Sequence, residues 1–105
     1  MNIIKTIALL SLTILLTVSS TAFANSDALF NKGLAAYQKQ DIPKAVKYWK
    51  KAAKRDNISA MYSLGLLHDQ GKFIEQDLKE ATKWYSRAAK KGAPQAQYQL
   101  GKLYA

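Results

Sequence analysis

The chain contains no cysteine, a single histidine, two prolines and five glycines among its 105 residues. Without cysteine it can form neither a disulfide nor a thiolate metal site, so packing must stabilise the fold. The histidine, His68, is followed by Asp69, but adjacent side chains on a helix point about 100° apart and cannot share one site. Serine-nucleophile motifs and glycine-rich phosphate loops are also absent. The sequence therefore predicts no enzyme, no cofactor and no metal.

Long apolar sequence occurs only near the N-terminus, in a run of twelve residues at 7–18. Lys5 precedes the run, and Ala22-Phe23-Ala24 follows it with the small-x-small pattern that signal peptidases cleave. A membrane-spanning helix needs roughly 20 apolar residues. The pattern predicts a signal peptide at residues 1–24 and a periplasmic or secreted protein that begins at Asn25. An uncleaved N-terminal anchor is the alternative.

Acidic residues are scarce, with 7 against 16 basic residues, and the net charge is +9. Removal of Lys5 with the signal peptide leaves 15 basic and 7 acidic residues, a net charge of +8. In an exported protein this excess favours an anionic envelope surface or an acidic partner. Nucleic acid is not expected, because no groove-reading motif accompanies the charge.

The mature sequence repeats itself. SAMYSLGLL at 59–67 returns 36 residues later as QAQYQLGKL at 95–103, and the alanine and aromatic pattern of 45–54 returns at 81–90. The spacing between Gly33 and Gly65 is only 32 residues, which predicts a tighter connection in the first unit. Repeats of this length are typical of helical pairs that bury their apolar faces by stacking.

Apolar residues at three-and-four spacing, interrupted by turn residues, predict five helices at 27–39, 42–55, 58–70, 77–91 and 94–104. We expect an all-α, right-handed α-solenoid of two antiparallel pairs and one terminal helix. Small residues are predicted where paired helices approach closely: Gly33, Ala45, Ala52, Gly65, Ala81 and Ala88. Large residues are predicted to fill the gaps between pairs: Trp49, Trp84 and Tyr85.

The terminal helix has one apolar side. Leu100, Leu103 and Tyr104 are predicted to face inward. Gln97, Gln99 and Lys102 are then available to face water. This pattern is typical of a capping helix, and a truncated third repeat is the alternative reading.

These motifs resemble two related repeat families. Residues 28–56 resemble a tetratricopeptide repeat (TPR), with departures at Lys32 and Asn57. Residues 60–92 resemble a Sel1-like repeat (SLR), with departures at His68 and Phe73. The Sel1-like signature consists of Ala60, Leu64, Gly65, Asp77, Ala81, Trp84, Tyr85, Ala88, Ala89 and Gly92. The domains are then the signal peptide, a TPR-like hairpin at 25–57, a Sel1-like repeat at 58–92 and a terminal helix at 93–105.

The resemblance implies a small secreted bacterial adaptor that binds a protein or peptide in a concave groove. The first helix of each unit would line this groove with Phe30, Leu34, Tyr37, Tyr62, Leu66, Asp69, Gln95, Tyr98 and Lys102. The aromatic row Phe30, Tyr62 and Tyr98 is either a groove wall or packing between helices. Self-association through the terminal helix is a further expectation.

A basic face is the second candidate surface. Helical spacing places six cations in two rows on the convex side: Lys47, Lys51, Lys54, Lys83, Arg87 and Lys90. These rows favour either a cationic envelope-associated protein, which binds anionic lipid or acidic partners, or a solvated face that maintains solubility.

The predicted cleavage site can be checked directly on protein exported from bacterial cells. We expect the purified protein to begin at Asn25, because cleavage follows Ala24. Intact-mass spectrometry and N-terminal sequencing measure this. A chain that retains residues 1–24 in the envelope would instead establish the anchor.

Overall fold

The structure, a computed structural model, describes residues 25–105. The predicted signal peptide and its cleavage site lie outside these residues. The described part contains five helices and no strand. The helices are α1 (25–38), α2 (Ile42–Lys54), α3 (Ile58–Gln70), α4 (Leu78–Lys90) and α5 (Pro94–Tyr104). Each observed bound lies within two residues of its predicted position. None of these helices has the length and apolar character needed to cross a membrane.

Side chains that precede three of the helices fix where those helices begin. Asp41, Asn57 and Asp77 each accept a hydrogen bond from the backbone amide three residues on, at 3.3, 2.9 and 3.1 Å. Such caps pair one of the amides that a helix start leaves without a partner. α5 instead begins with Pro94, whose missing N–H makes it compatible with a first helical position.

Three of the connections use the same turn. After α1, α2 and α4, one residue adopts a left-handed backbone, at Gln40, Asp56 and Gly92. The amide of the following residue then donates to the carbonyl five residues back, at 2.9, 3.1 and 3.1 Å respectively. This is the Schellman arrangement, which pairs the last carbonyls of a helix and reverses the chain. The short turns place successive helices antiparallel.

The connection between α3 and α4 is longer and explains the two repeat spacings. It occupies seven residues, 71–77, whereas the connection between α1 and α2 occupies three, 39–41. The difference of four residues equals the difference between spacings of 36 and 32. Gly71 turns the chain with φ +64°, and the amide of Asp77 donates to the carbonyl of His68 at 2.9 Å. The tighter first connection is therefore confirmed.

In each helical pair, an aromatic ring of the second helix lies against a glycine of the first. A Cβ atom at Gly33 would clash with the Trp49 indole, and one at Gly65 would clash with the Tyr85 ring. Trp49 Nε1 also donates to the carbonyl of Phe30 at 3.2 Å. Glycine is required at both positions because any larger residue would displace a buried ring. We call each of these two contacts a ring–glycine contact.

The prediction that Trp49 and Tyr85 fill gaps between pairs is wrong for Tyr85 and only partly right for Trp49, which also borders the hollow between α1 and α3. Both rings lie inside their own pair, against the glycine of the same unit. Adjacent aromatic residues, Tyr48-Trp49 and Trp84-Tyr85, point about 100° apart on a helix. The second member of each couple is the one directed at the glycine, and sequence spacing alone did not distinguish the two.

Small side chains form the remaining close contacts of the core. Ala45, Ala52, Ala81 and Ala88 are completely buried, as predicted. Ala60 and Ala96, at equivalent places on α3 and α5, are completely buried as well. The core runs through the whole stack because each helix contributes alanine at its points of closest approach. An all-α solenoid of repeats is thereby confirmed.

α5 only partly matches its predicted orientation. Leu100 and Leu103 are half-buried and pack against the core, as expected for an inward face. Tyr104, also predicted to face inward, is 72% exposed, so that prediction is wrong. Gln99 is half-buried, although it was predicted to be free to face water. α5 has contact with the stack along one side only, and Tyr104 lies outside that contact.

The glycines of the three first helices provide a test of the ring–glycine contact. Gly65→Ala should lower the free energy of unfolding by about 1–3 kcal/mol, because the added methyl group overpacks the Tyr85 ring. Gly101→Ala should raise it by about 0.5–1 kcal/mol, since a Cβ there meets nothing within 4 Å and alanine favours helix. Urea unfolding at low protein concentration measures both. Equal effects at the two positions would contradict the account.

Candidate functional site

The first helices α1, α3 and α5 together form a face with two adjacent hollows. The first hollow, of about 190 Å³, lies between α1 and α3. The second, of about 270 Å³, lies where α1, α3 and the start of α5 meet. Ser63 borders both hollows. The first is lined by Leu34, Tyr37, Trp49, Ser63, Leu66, Leu67 and Gln70. The second is lined by Phe30, Ile58, Ser59, Tyr62, Ser63, Ala93 and Gln95.

Most of the residues predicted to line a groove lie at these hollows. Leu34, Tyr37 and Leu66 line the first, and Phe30 and Tyr62 line the second. Three others border neither hollow: Asp69, Tyr98 and Lys102. Ser63 was not identified from the sequence, because a serine between apolar positions on a helix carries no distinguishing signal.

The aromatic row Phe30, Tyr62 and Tyr98 has two packed members and one exposed member. Phe30 stacks on Trp49 with ring centroids 6.4 Å apart, and Tyr62 contacts Tyr85 at 5.8 Å. Both are half-buried, so they contribute to the packing and to the second hollow at once. Tyr98 is 67% exposed, and Lys102 Nζ lies 5.6 Å from the centroid of its ring.

The long α3–α4 connection packs against Tyr37, one of the residues that line the first hollow. Phe73 packs edge-on against Tyr37, with ring centroids 5.4 Å apart, and Tyr37 in turn lies 5.6 Å from Trp49. Gln76 Nε2 donates to the backbone carbonyl of Asp69 at 2.7 Å, which fixes the connection against the end of α3. Phe73, a departure from the repeat signature, therefore supports the groove residue Tyr37.

Asp69 positions a buried tyrosine. The Tyr85 hydroxyl, on a completely buried side chain, donates to Asp69 Oδ2 at 3.0 Å. Burial of the ring, together with this hydrogen bond to a carboxylate, raises the pKa of Tyr85 well above its usual range. Asp69 thus contributes to the packing of α3 on α4, and one of its carboxylate oxygens is already occupied.

Asn57 connects the starts of two first helices. Its side-chain oxygen caps α3, while its Nδ2 donates to Asp27 Oδ1 on α1 at 3.1 Å and to Ser26 Oγ at 3.5 Å. Asn57 is 8% exposed, and both the oxygen and the nitrogen of its side-chain amide form hydrogen bonds within the protein. This residue sets the separation of α1 and α3 on which the hollows depend. The sequence marked it only as a departure from the repeat pattern.

The predicted basic rows lie on α2 and α4, and part of their charge has intramolecular partners. Lys83 is 3.7 Å from Glu80, and both Lys83 and Arg87 approach the Trp84 ring, at 5.2 and 4.9 Å. Arg87 also donates to the carbonyl of Ala53 on α2 at 3.5 Å. The other members are exposed: Lys47, Lys51, Lys54 and Lys90. Lys51 lies over the Tyr48 ring at 5.8 Å.

Family comparisons agree with this repeated geometry. The Sel1 repeat model matches residues 58–92 and 94–105, and the tetratricopeptide repeat model matches residues 26–57. The chain is therefore similar to repeat proteins of the Sel1 and tetratricopeptide type. Repeats of these kinds indicate a protein–protein interaction module. The match confirms the resemblance seen in the sequence for both repeat types.

A solved structure supports the fold of these repeats. The crystal structure of a Sel1 repeat protein from Oxalobacter formigenes is similar, with a TM-score of 0.69 and 28% sequence identity. The similarity covers 86% of this chain and 71% of that chain. No curated protein matches the chain.

His68 lies at the edge of a different, apolar hollow. It is half-buried near the end of α3, beside Phe73 and Ile74 of the long connection. Its Nδ1 is buried and has no hydrogen-bond partner among residues 25–105. In residues 25–105, no three His, Cys, Asp or Glu side chains lie close enough together to hold a metal ion.

Alkaline titration provides a test of the Tyr85–Asp69 contact. At neutral pH, Tyr85→Phe should cost about 1 kcal/mol through the lost hydrogen bond. Above pH 10 the tyrosine of the unfolded chain ionises while the buried Tyr85 of the folded chain stays protonated. The free energy of unfolding of the wild type should therefore fall by up to about 1.4 kcal/mol per pH unit. The wild type and Tyr85→Phe should therefore have equal free energies of unfolding near pH 11. The measurement is urea unfolding of both proteins from pH 7 to about pH 11. A constant difference over this range would contradict a buried, protonated Tyr85.

Proposed function

We propose that this protein is a periplasmic, non-enzymatic adaptor that binds a protein or peptide across the two hollows of its first-helix face. The observation that carries the proposal is the pair of adjacent hollows that meet at Ser63. Two neighbouring depressions of this size can each accept a side chain of one bound segment. The predicted signal peptide supports the periplasmic location.

The chemistry of the linings defines the kind of partner. Neither lining contains a charged residue, although residues 25–105 carry a net charge of +8. The apolar contacts come from side chains such as Leu34, Leu66 and Ile58, and the hydrogen-bonding groups from Ser59, Gln70 and Gln95. We expect a segment with apolar side chains in the hollows and backbone groups paired with these polar residues.

The uncharged linings also distinguish this function from binding through the basic rows. Binding through exposed lysines weakens as salt screens the charges, whereas apolar contacts persist. The comparisons indicate a protein-binding module. Binding to anionic lipid or acidic polymer through the basic rows has no such support, and we carry it only as an outcome of the test.

Affinity capture from a native envelope extract tests the proposal, with the purified protein as bait at about 0.1 M and about 1 M salt. Over this range the Debye length falls from about 10 Å to about 3 Å. We expect a discrete protein to be retained at both concentrations. Ser63→Arg should reduce its recovery about tenfold or more, because the arginine obstructs the border between the two hollows and places an unpaired charge at the contact.

Ser86→Arg is the matched control, since Ser86 is also half-buried but lies on α4, away from both hollows. Ser86→Arg should recover as much of the retained protein as the wild type does. Circular dichroism should show equal helicity for the wild type and the two variants. If the two arginine variants capture alike, the hollows are not the binding site. If the retained material is washed off at high salt, the function belongs to the basic rows.

A further inference from the structure

A cavity of about 290 Å³ lies between α1 and α2, apart from the two hollows of the first-helix face. The polar part of its lining consists of Lys32, Lys39, Asp41, Lys44 and Tyr48. None of these residues lines either hollow. Three lysines and one aspartate give the lining a net charge of +2, whereas the linings of the hollows carry no charge. A ligand of this cavity should therefore be an anion.

Two of the lysines stand where the second repeat unit has residues of different chemistry. Lys32 occupies the position of Leu64, and Lys44 occupies the position of Glu80, through the repeat spacings of 32 and 36 residues. Leu64 is completely buried, whereas Lys32 is exposed. A polar outer face at the first unit of a stack accounts for Lys32.

The placement of Lys44 is unfavourable for its own helix. The first turn of a helix carries a partial positive charge, which favours an acidic side chain and disfavours a basic one. Glu80 satisfies this preference in the first turn of α4, whereas the first turn of α2 contains Lys44 and no acidic residue. Neither solubility nor helix stability requires a lysine at this position. An anion bound between Lys44 and the start of α2 would reverse the unfavourable interaction.

The described part of the chain does not neutralise the three lysines. None of them has an ion-pair partner within residues 25–105. Asp41, the carboxylate of the lining, accepts the backbone amide of Lys44 at 3.3 Å through Oδ1 as the cap of α2. Lys32 Nζ lies 5.8 Å from the centroid of the Tyr48 ring, another part of the lining. Like charges gathered around one cavity repel each other, and a bound anion would remove that repulsion.

We propose that this cavity binds a phosphate group. A phosphate monoester carries a charge of about −1.5 to −2 and three acceptor oxygens at neutral pH, which matches three lysines around one small cavity. Lysine binds phosphate as a point charge, whereas the planar fork of arginine suits a carboxylate, and the lining contains no arginine. The phosphate can belong to a small soluble molecule or to a lipid headgroup.

Titration with inorganic phosphate tests the proposal, with two-dimensional NMR of the ¹⁵N-labelled protein as purified from cells. Sodium chloride keeps the ionic strength constant, so that screening does not change during the titration. We expect saturable shifts of the amides around Lys39 and Lys44. Lys44→Glu should raise the dissociation constant about tenfold or more, because repulsion replaces a charge-assisted hydrogen bond. Helicity should be retained, since an acidic residue suits the first turn of α2.

Lys47→Glu is the matched control. Lys47 is exposed on the same helix, and its replacement changes the net charge equally, but it does not line the cavity. This variant should bind phosphate with a dissociation constant within about threefold of the wild-type value, because the loss is only of distant, screened attraction. Ser63→Arg should also bind phosphate, so the adaptor function is tested separately. Equal weakening in the two glutamate variants, or shifts that do not saturate, would overturn the proposal.

Vesicles distinguish the two sources of the phosphate group. The probe is phosphatidylcholine vesicles with about one-fifth phosphatidic acid, whose headgroup is a phosphate monoester, and co-sedimentation measures binding. If the site takes a lipid headgroup, Lys44→Glu should sediment at least about tenfold more weakly than Lys47→Glu. If the two variants sediment alike while only Lys44→Glu loses inorganic phosphate, the site takes a soluble phosphorylated molecule.

Discussion

An aromatic ring packed against a glycine of the preceding helix is the contact on which the rest of this structure depends. It occurs twice, at Gly33 with Trp49 and at Gly65 with Tyr85. Because the glycine lacks a side chain, the second helix of each pair can approach the first closely at that position. Hydrogen bonds from Trp49 to α1 and from Tyr85 to Asp69 then fix the orientation of each ring.

The first helices and the second helices of the stack present different kinds of surface. First helices provide two hollows with uncharged linings, and the separation of α1 and α3 is set by ring packing and by the Asn57 contact to Asp27. Second helices α2 and α4 carry most of the exposed lysines. We propose that a partner bound at the hollows is recognised through shape and hydrogen bonds. The proposed binding surface and most of the exposed charge thus lie on different helices of the same repeat.

Local patterns were sufficient to predict the helices, but not the contacts between distant side chains. Helix bounds follow from caps such as Asp77 and from turn residues such as Gly92, which act within a few positions. The contact of Phe73 with Tyr37 joins residues 36 positions apart, and no spacing rule predicts it. Tyr104 was assigned to the core because its helical phase matched Leu100, yet nothing in the described chain packs against that side.

Native-state hydrogen exchange measures most directly whether the ring–glycine contacts hold the repeats together. α1 and α3 each have one ring–glycine contact. Amides in the centres of these two helices should therefore exchange only through global unfolding. Amides of α5, whose glycine is open, should exchange through a separate opening of lower free energy at low protein concentration. Equal protection of α5 and α3 under those conditions would show that stacking alone stabilises a repeat, and would contradict the account.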